Sequence, residues 1–241
     1  MSKVCVIFGA GEYYAGTPVV PDGAYVVAAD GGLDHTRELG IVPDVVVGDF
    51  DSLEGRPPRT DVRTITLPSL KDDPDMLSAL KVGWAAGYRE FHVYGGLGGR
   101  IDHTISGIHL MTLLAGHGAS GYLYGDGLIV TAITDGKLSF PAHPVPEDGR
   151  MVSAFSHSDV SLGVNEPGLK YELKDGTLTN TMVQGVSNEF RDGIDAAISV
   201  EHGTLIVTFP IEVALPQVSR FHEFSGGIGK LDTEVSKLLV R

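Results

Sequence analysis

The sequence predicts an α/β fold class in two parts. A mostly parallel α/β sandwich domain over 1–134 comes first, then a smaller antiparallel β-sandwich domain over 135–216, and residues 217–241 form a tail read as a C-terminal helix. Three observations carry this. In the first half, short continuous β-rich runs alternate with helical spacings. From about Gly136 the helical spacing disappears, and short alternating runs separated by turn signals take over. The chain also has 241 residues, 42% of them hydrophobic and 20% charged, enough apolar material for two cores.

The elements follow in order. Val4–Phe8 is a continuous apolar run ending at Gly9, as expected of a strand buried on both faces. Tyr25–Ala29 ends at Asp30-Gly31-Gly32, Val45–Val47 at Gly48-Asp49-Phe50-Asp51, and Phe91–Tyr94 at Gly95-Gly96, with Val62–Leu67 a further strand. Met76, Leu77, Leu80 and Trp84 share one helical face, and Asp73-Pro74 ahead of them reads as an N-cap followed by Pro at the first helical position. Ile105, Ile108, Met111, Thr112 and Ala115 predict a second helix from near Asp102. This alternation gives a parallel sheet covered by helices, whose ligands bind outside the carboxyl ends of the strands. Asp30, Asp49, Asp51 and the glycines from Gly95 lie at those ends. Beyond a boundary at Thr134-Asp135-Gly136, Met151–Phe155, Leu169–Leu173, Ala197–Val200 and Leu205–Phe209 read as strands, with turns at Asp175-Gly176 and His202-Gly203. After a Gly226-Gly227 break, Leu231, Val235, Leu238 and Leu239 have helical spacing.

Charge and cysteine content narrow the function. A net charge of −13 without a Lys/Arg run repels a nucleic-acid backbone, so no nucleic acid is expected as a partner. A phosphorylated small molecule is compatible, given a divalent cation between its phosphates and the carboxylates. Cys5 is the only cysteine, which excludes an intrachain disulfide and a cysteine zinc site. The apolar run at the N-terminus is too short for a signal peptide and no stretch approaches a membrane span, so a cytoplasmic protein with no membrane partner is expected. Gly9-Ala10-Gly11 lacks the third glycine of a dinucleotide fingerprint, which would fall at Tyr14, and no Lys follows Gly16 to complete a P-loop. Neither G-x-S-x-G nor H-E-x-x-H occurs.

Three segments carry chemistry. Asp49-Phe50-Asp51 places two carboxylates two residues apart at a strand end, where their repulsion at an effective dielectric near 20 is roughly 3–4 kcal/mol. A hard cation such as Mg²⁺ offsets that; a solvated acidic turn is the alternative. Lys71-Asp72-Asp73-Pro74-Asp75 fits either a ligand site or ordinary acids at a helix N-terminus. Gly95 through His103 has glycines that let backbone N–H groups approach an anion, with Arg100 adding a planar fork for phosphate oxygens. Asp102 there is a metal ligand or an N-cap, and His103 a ligand contact or a packed residue.

Together these segments resemble the thiamine pyrophosphokinase family. The resemblance runs through Asp30-Gly31-Gly32, Pro43-Asp44, Gly48 to Ser52, Lys71 to Asp75 and Gly95 to His103. In the β half it continues with Gly168-Leu169-Lys170-Tyr171 and Gly185-Val186-Ser187-Asn188-Glu189-Phe190. It implies transfer of a diphosphate from Mg-ATP to the hydroxyl of thiamine with release of AMP, by a homodimer with its active site at the subunit interface. It further implies Mg²⁺ held by Asp49, Asp51, Asp75 and Asp102. The nucleotide would be held by Asp30, Lys71, Arg100, Gly98, Gly99 and His103, and thiamine by Ser187 and Asn188 with Phe190 or Tyr171 stacking. The chain departs from the family at Pro74, where Thr is usual, and in the Glu12-Tyr13-Tyr14 loop and the tail beyond Pro216. Two alternatives stay open: a related diphosphotransferase with another acceptor, such as a pterin alcohol, and a non-catalytic nucleotide- or thiamine-binding protein.

Overall fold

Apolar runs of four or five residues are too short for core helices, and in the computed structural model they form strands. The structure describes residues 4–14, 18–50, 60–146 and 150–236. Contacts divide the chain into two units, Met1–Gly107 with Gly227–Arg241, and Ile108–Gly226.

The first unit runs β1 (Val4–Phe8), β2 (Tyr25–Ala29), α1 (Gly32–Glu38), β3 (Val45–Gly48), β4 (Arg63–Thr66), α2 (Asp75–Ala85) and β5 (Glu90–Tyr94). Its strands are parallel, in the order β4-β3-β2-β1-β5. All of β1 and β3 is buried, as a sheet covered on both faces requires. The mostly polar β4 sits at the edge, with three of its four residues exposed. The chain steps outward from β1 to β4 and returns beyond β1 to lay down β5, so the order reverses between β1 and β5. In open α/β sheets, such a reversal marks where ligands bind, at the strands' carboxyl ends. α2 starts at Asp75 rather than Pro74, because Pro74 keeps an extended ψ of 151° and occupies the cap position without a side-chain bond.

Helix α3 (Ile101–Gly116) leads into β6 (Ser120–Tyr124), β7 (Leu128–Phe140), β8 (Met151–Ser156), β9 (Val160–Val164), β10 (Gly176–Thr179), β11 (Asn188–Glu189), β12 (Ala196–Pro210) and β13 (Gln217–Arg220). The strand pairings within the second unit, β6 to β13, are antiparallel. The long strands β7 and β12 pair on both sides of an irregularity between Val200 and Thr204. There Asp135 has φ +41° and accepts a bond from the Gly203 N–H at 2.8 Å. On one side of the bend β12 pairs with β8, and at the bend His202 pairs with Leu162 of β9. Both halves surround one core that includes Phe140, Phe190, Ile198 and Phe209.

Two expectations are corrected. Leu169–Leu173 is no strand: Leu169 makes only an isolated bridge to Phe190, and the Asn188 side chain takes both the N–H and the C=O of Tyr171, which a ladder would need. The expected helix over 217–241 is also absent among the described residues. Gln217–Arg220 is β13, paired antiparallel with β7, and residues 221–236 are irregular. The alternating exposure of Gln217 to Arg220 is the strand period, and glycines at 226 and 229 with φ +89° and +90° interrupt any helix after it. Leu238 and Leu239 lie outside the described residues. None of the described helices is long and apolar enough to cross a membrane.

Candidate active site

Adjacent parallel strands end on acids, and the helix after β4 starts on another. Asp30 follows β2, Asp49 follows β3 and Asp75 opens α2. Their carboxylates converge, each offering an oxygen within 4.8 Å of the others. The backbone is bent to achieve this: Asp30 has φ +47° and Phe50, next to Asp49, has φ +62°, conformations that non-glycine residues adopt at a cost of about 1–3 kcal/mol. Phe50 is held there by packing against Ala28, Leu33 and Val46.

Lys71 is the counter-charge. Its Nζ lies 3.3 Å from Asp49 Oδ2 and 3.0 Å from Asp75 Oδ1, with only 7% of the side chain exposed. Burial acts to lower the Lys71 pKa, but the bonds and charges of Asp75 and Asp49 outweigh it and hold the ammonium above its ordinary value. Burial raises the Asp75 pKa; Lys71 opposes the rise, and the nearby Asp30 and Asp49 add to it. Each carboxylate pair repels by about 3–4 kcal/mol at an effective dielectric near 20. Among the described residues, Lys71 is the ammonium paired with Asp49 and Asp75 of this group. Asp30 Oδ1 is buried with no hydrogen-bond partner among the described residues. A buried oxygen left this way and three converging hard oxygen donors fit a divalent cation such as Mg²⁺.

The glycine-rich loop after β5 lies at the same end of the sheet. Gly95 has φ +70°, and the N–H groups of Gly9 and Gly11 donate to Tyr94 and Gly95 carbonyls at 2.8 and 3.0 Å. The loops after β1 and β5 are thereby zipped together. A side chain at Gly98, φ +84°, would collide with the Tyr14 hydroxyl, so the Glu12-Tyr13-Tyr14 loop lies against Gly98 and Gly99. Arg100 is 73% exposed and pairs with Asp102, its Nη2 2.6 Å from Oδ2. Asp102 also accepts from the His103 N–H at 3.0 Å, and His103 is exposed. Asp102 is not among the converging carboxylates, whereas Asp30, expected on the nucleotide side, is one of them. Asp51 lies outside the described residues. The pattern that marks Asp30 in the sequence is the one that marks Asp49, an acid directly after a buried parallel strand.

The candidates in the second unit have other surroundings. Asn188 is buried; its Nδ2 donates to Glu166 Oε2 and Tyr171 O at 2.9 and 2.8 Å, and its Oδ1 accepts from Tyr171 and Glu189 N–H groups at 3.0 and 2.9 Å. Phe190 is 2% exposed and sits edge-on to Phe140. Ser187 has φ +60°, and its N–H donates to Ser153 Oγ at 3.0 Å. Tyr171 is 61% exposed, with Lys170 Nζ 5.3 Å from its ring centre. Glu166, which sequence reasoning missed, is 3% exposed, and burial raises its pKa against the Asn188 bond. Nothing in its sequence neighbourhood marks it.

Residues 19–120 match the family model described as thiamin pyrophosphokinase, catalytic domain. Among solved structures, a thiamine pyrophosphokinase from Bacillus subtilis superposes with TM-score 0.74 at 20% identity, over 88% of this chain and 100% of that one. The thiamin pyrophosphokinase of Candida albicans gives 0.68 at 14% identity over 88% and 90% of the two chains. The yeast thiamin pyrophosphokinase gives 0.66 at 13% over 87% and 86%. No curated protein matches the sequence. The converging acids at the parallel strand ends lie within the segment that matches the thiamin pyrophosphokinase catalytic-domain model.

Proposed function

We propose that this chain is an ATP-dependent diphosphotransferase whose acceptor is thiamine. The observation that carries the reading is the group Asp30, Asp49 and Asp75 with Lys71 at the carboxyl ends of the parallel strands. In the reaction the hydroxyl oxygen of thiamine attacks the β-phosphorus of ATP, the bond from that phosphorus to the α–β bridging oxygen breaks, and AMP leaves. The hydroxyl proton passes to solvent, because phosphoryl-type transfer depends on positioning and charge stabilisation more than on a strong base.

Asp30, Asp49 and Asp75 would hold Mg²⁺, with Asp51 and Asp102 as further candidates. When bound, Mg²⁺ neutralises charge on the polyphosphate and orients it for in-line attack. Lys71 opposes the effect of burial on Asp75 and offers its ammonium toward phosphate. Arg100, Gly98, Gly99 and His103 would contact the nucleotide, with Arg100 exchanging Asp102 for phosphate oxygens. On the acceptor side Ser187 and Tyr171 would meet thiamine, while Asn188 and Phe190 shape the segment that presents them. The family resemblance extends the reading to a homodimer in which the acceptor segment comes from the partner subunit. The saturated hydrogen bonding of Asn188 favours a second reading, a diphosphotransferase with a different alcohol acceptor.

The test is product identification after incubation with ATP, Mg²⁺ and thiamine. Thiamine-dependent AMP, with an equal amount of thiamine diphosphate, is the expected result. ADP would make the protein an ordinary kinase, and failure to turn over thiamine despite ATP binding would favour the second reading.

A further inference from the structure

Lys71 stands between Asp49 and Asp75, and the short loop that carries it has no secondary structure of its own. Two hydrogen bonds to that loop come from Ser236, far along the chain. The Ser236 N–H donates to the Leu70 carbonyl at 2.9 Å, and Ser236 Oγ donates to Asp72 Oδ1 at 2.5 Å. Both neighbours of Lys71 are therefore tied to one residue. The next loop residue, Asp73, forms an ion pair with Lys81 of α2. Gly229 packs over the end of that lysine, where a Cβ would come within 3.4 Å of Cε. Ile228 is buried, and Gly227 lies against the Trp84 indole.

We propose that Gly227–Ser236 is a positioning strap: it fixes the Leu70–Asp73 loop so that Lys71 sets the spacing of the carboxylates presented to a divalent cation. Ser236 acts as a positioning residue through Asp72 and Leu70, without touching substrate. The proposal rests on the reading of the acid group as a cation site for phosphoryl transfer. Physically it follows from tolerance. A buried ammonium on a four-carbon stem reaches two carboxylates at bonding distance only if its backbone is fixed, and sites of this kind lose function when their support shifts by about 1 Å.

The chain contains one tryptophan, Trp84, so its fluorescence reports whether the strap is seated. Wild type, Ser236→Ala, Ser236→Thr and a chain ending at Gly226 would be compared. The measurements are Trp84 emission, thermal midpoint, Mn²⁺ dissociation constant by calorimetry, and kcat and KM for diphosphate transfer. Ser236→Ala is expected to keep the emission spectrum and to move the thermal midpoint little. It should weaken Mn²⁺ binding and lower kcat, each by about tenfold, at unchanged thiamine KM. Ser236→Thr restores both. The chain ending at Gly226 shows red-shifted emission and a larger loss; if it does not fold, the two Ser236 variants decide. Wild-type Mn²⁺ affinity and kcat in Ser236→Ala would overturn the proposal, as would a loss that Thr does not rescue. Should wild type fail to diphosphorylate thiamine, the Mn²⁺ comparison still decides the strap, separately from the acceptor.

Discussion

Around Asp30, Asp49 and Asp75 the protein gathers three carboxylates beside Lys71, and one buried oxygen of Asp30 has no hydrogen-bond partner among the described residues. Around Asn188 the situation is the reverse, since both amide hydrogens and the carbonyl oxygen of that side chain are already engaged within the second unit. The first region is held open, at the expense of strained backbone at Asp30 and Phe50. The second is closed and spends its polar groups on its own loop. A buried polar residue with unmet bonding capacity points toward a ligand, whereas one with every group satisfied points toward architecture.

The comparison can be broken most forcefully in the open region. Asp49→Asn or Asp75→Asn should lower thiamine-dependent AMP formation by on the order of 100-fold or more, as removal of a main electrostatic stabiliser does. Both proteins should remain folded, because each substitution relieves repulsion; turnover within a few-fold of wild type would remove these acids from the chemistry. The closed region predicts the opposite pattern for Asn188→Leu. It strands Glu166 and the Tyr171 N–H and C=O, and should cost about 2–4 kcal/mol of unfolding free energy, read by denaturant titration. Retained stability with lost thiamine affinity would make Asn188 a ligand contact after all.

Smaller effects sharpen the contrast. Tyr171→Ala, at an exposed ring, should raise the thiamine KM several-fold through lost stacking, with little change in thermal midpoint; an unchanged KM moves the acceptor elsewhere. The smallest effect concerns Glu166, whose pKa burial raises from its usual 4.5. The folded state then keeps this proton to higher pH than the unfolded state does, so its contribution to stability falls as pH rises from about 4.5 through the raised value. Glu166→Gln should match wild type near pH 4 and gain about 2–4 °C in thermal midpoint at pH 8. An equal difference at both pH values would mean that ionisation plays no part.

The parallel half of the fold was legible because buried parallel strands are continuous apolar runs, and Val4–Phe8, Tyr25–Ala29 and Val45–Val47 each end on a turn residue. Asp49 was legible for the same reason, standing at the end of such a strand, whereas Lys71 and Asp75 entered as candidates through the family resemblance. Asp30 was a candidate on the nucleotide side, but its grouping with Asp49 depends on strand order, which the local pattern does not carry. The β half was less readable. Leu169–Leu173 has strand composition, yet a side-chain amide takes its backbone partners. Leu231 and Val235 have helical spacing, yet tertiary contacts to Trp84, Lys81 and the Leu70–Asp73 loop fix that stretch as irregular chain.

The first unit is discontinuous, built from both ends of the chain with residues Ile108–Gly226 inserted between them. During synthesis, the ribosome must therefore make that whole insertion before the residues that lie against Trp84 and Leu70 exist. At about 5–20 residues per second this delay lasts on the order of 6–24 s. Through that interval the α/β unit has all its strands but not its closing segment. A nascent chain terminated early would then carry the acids and the glycine loop without the strap, so the order of synthesis acts as a timer on when the site is complete.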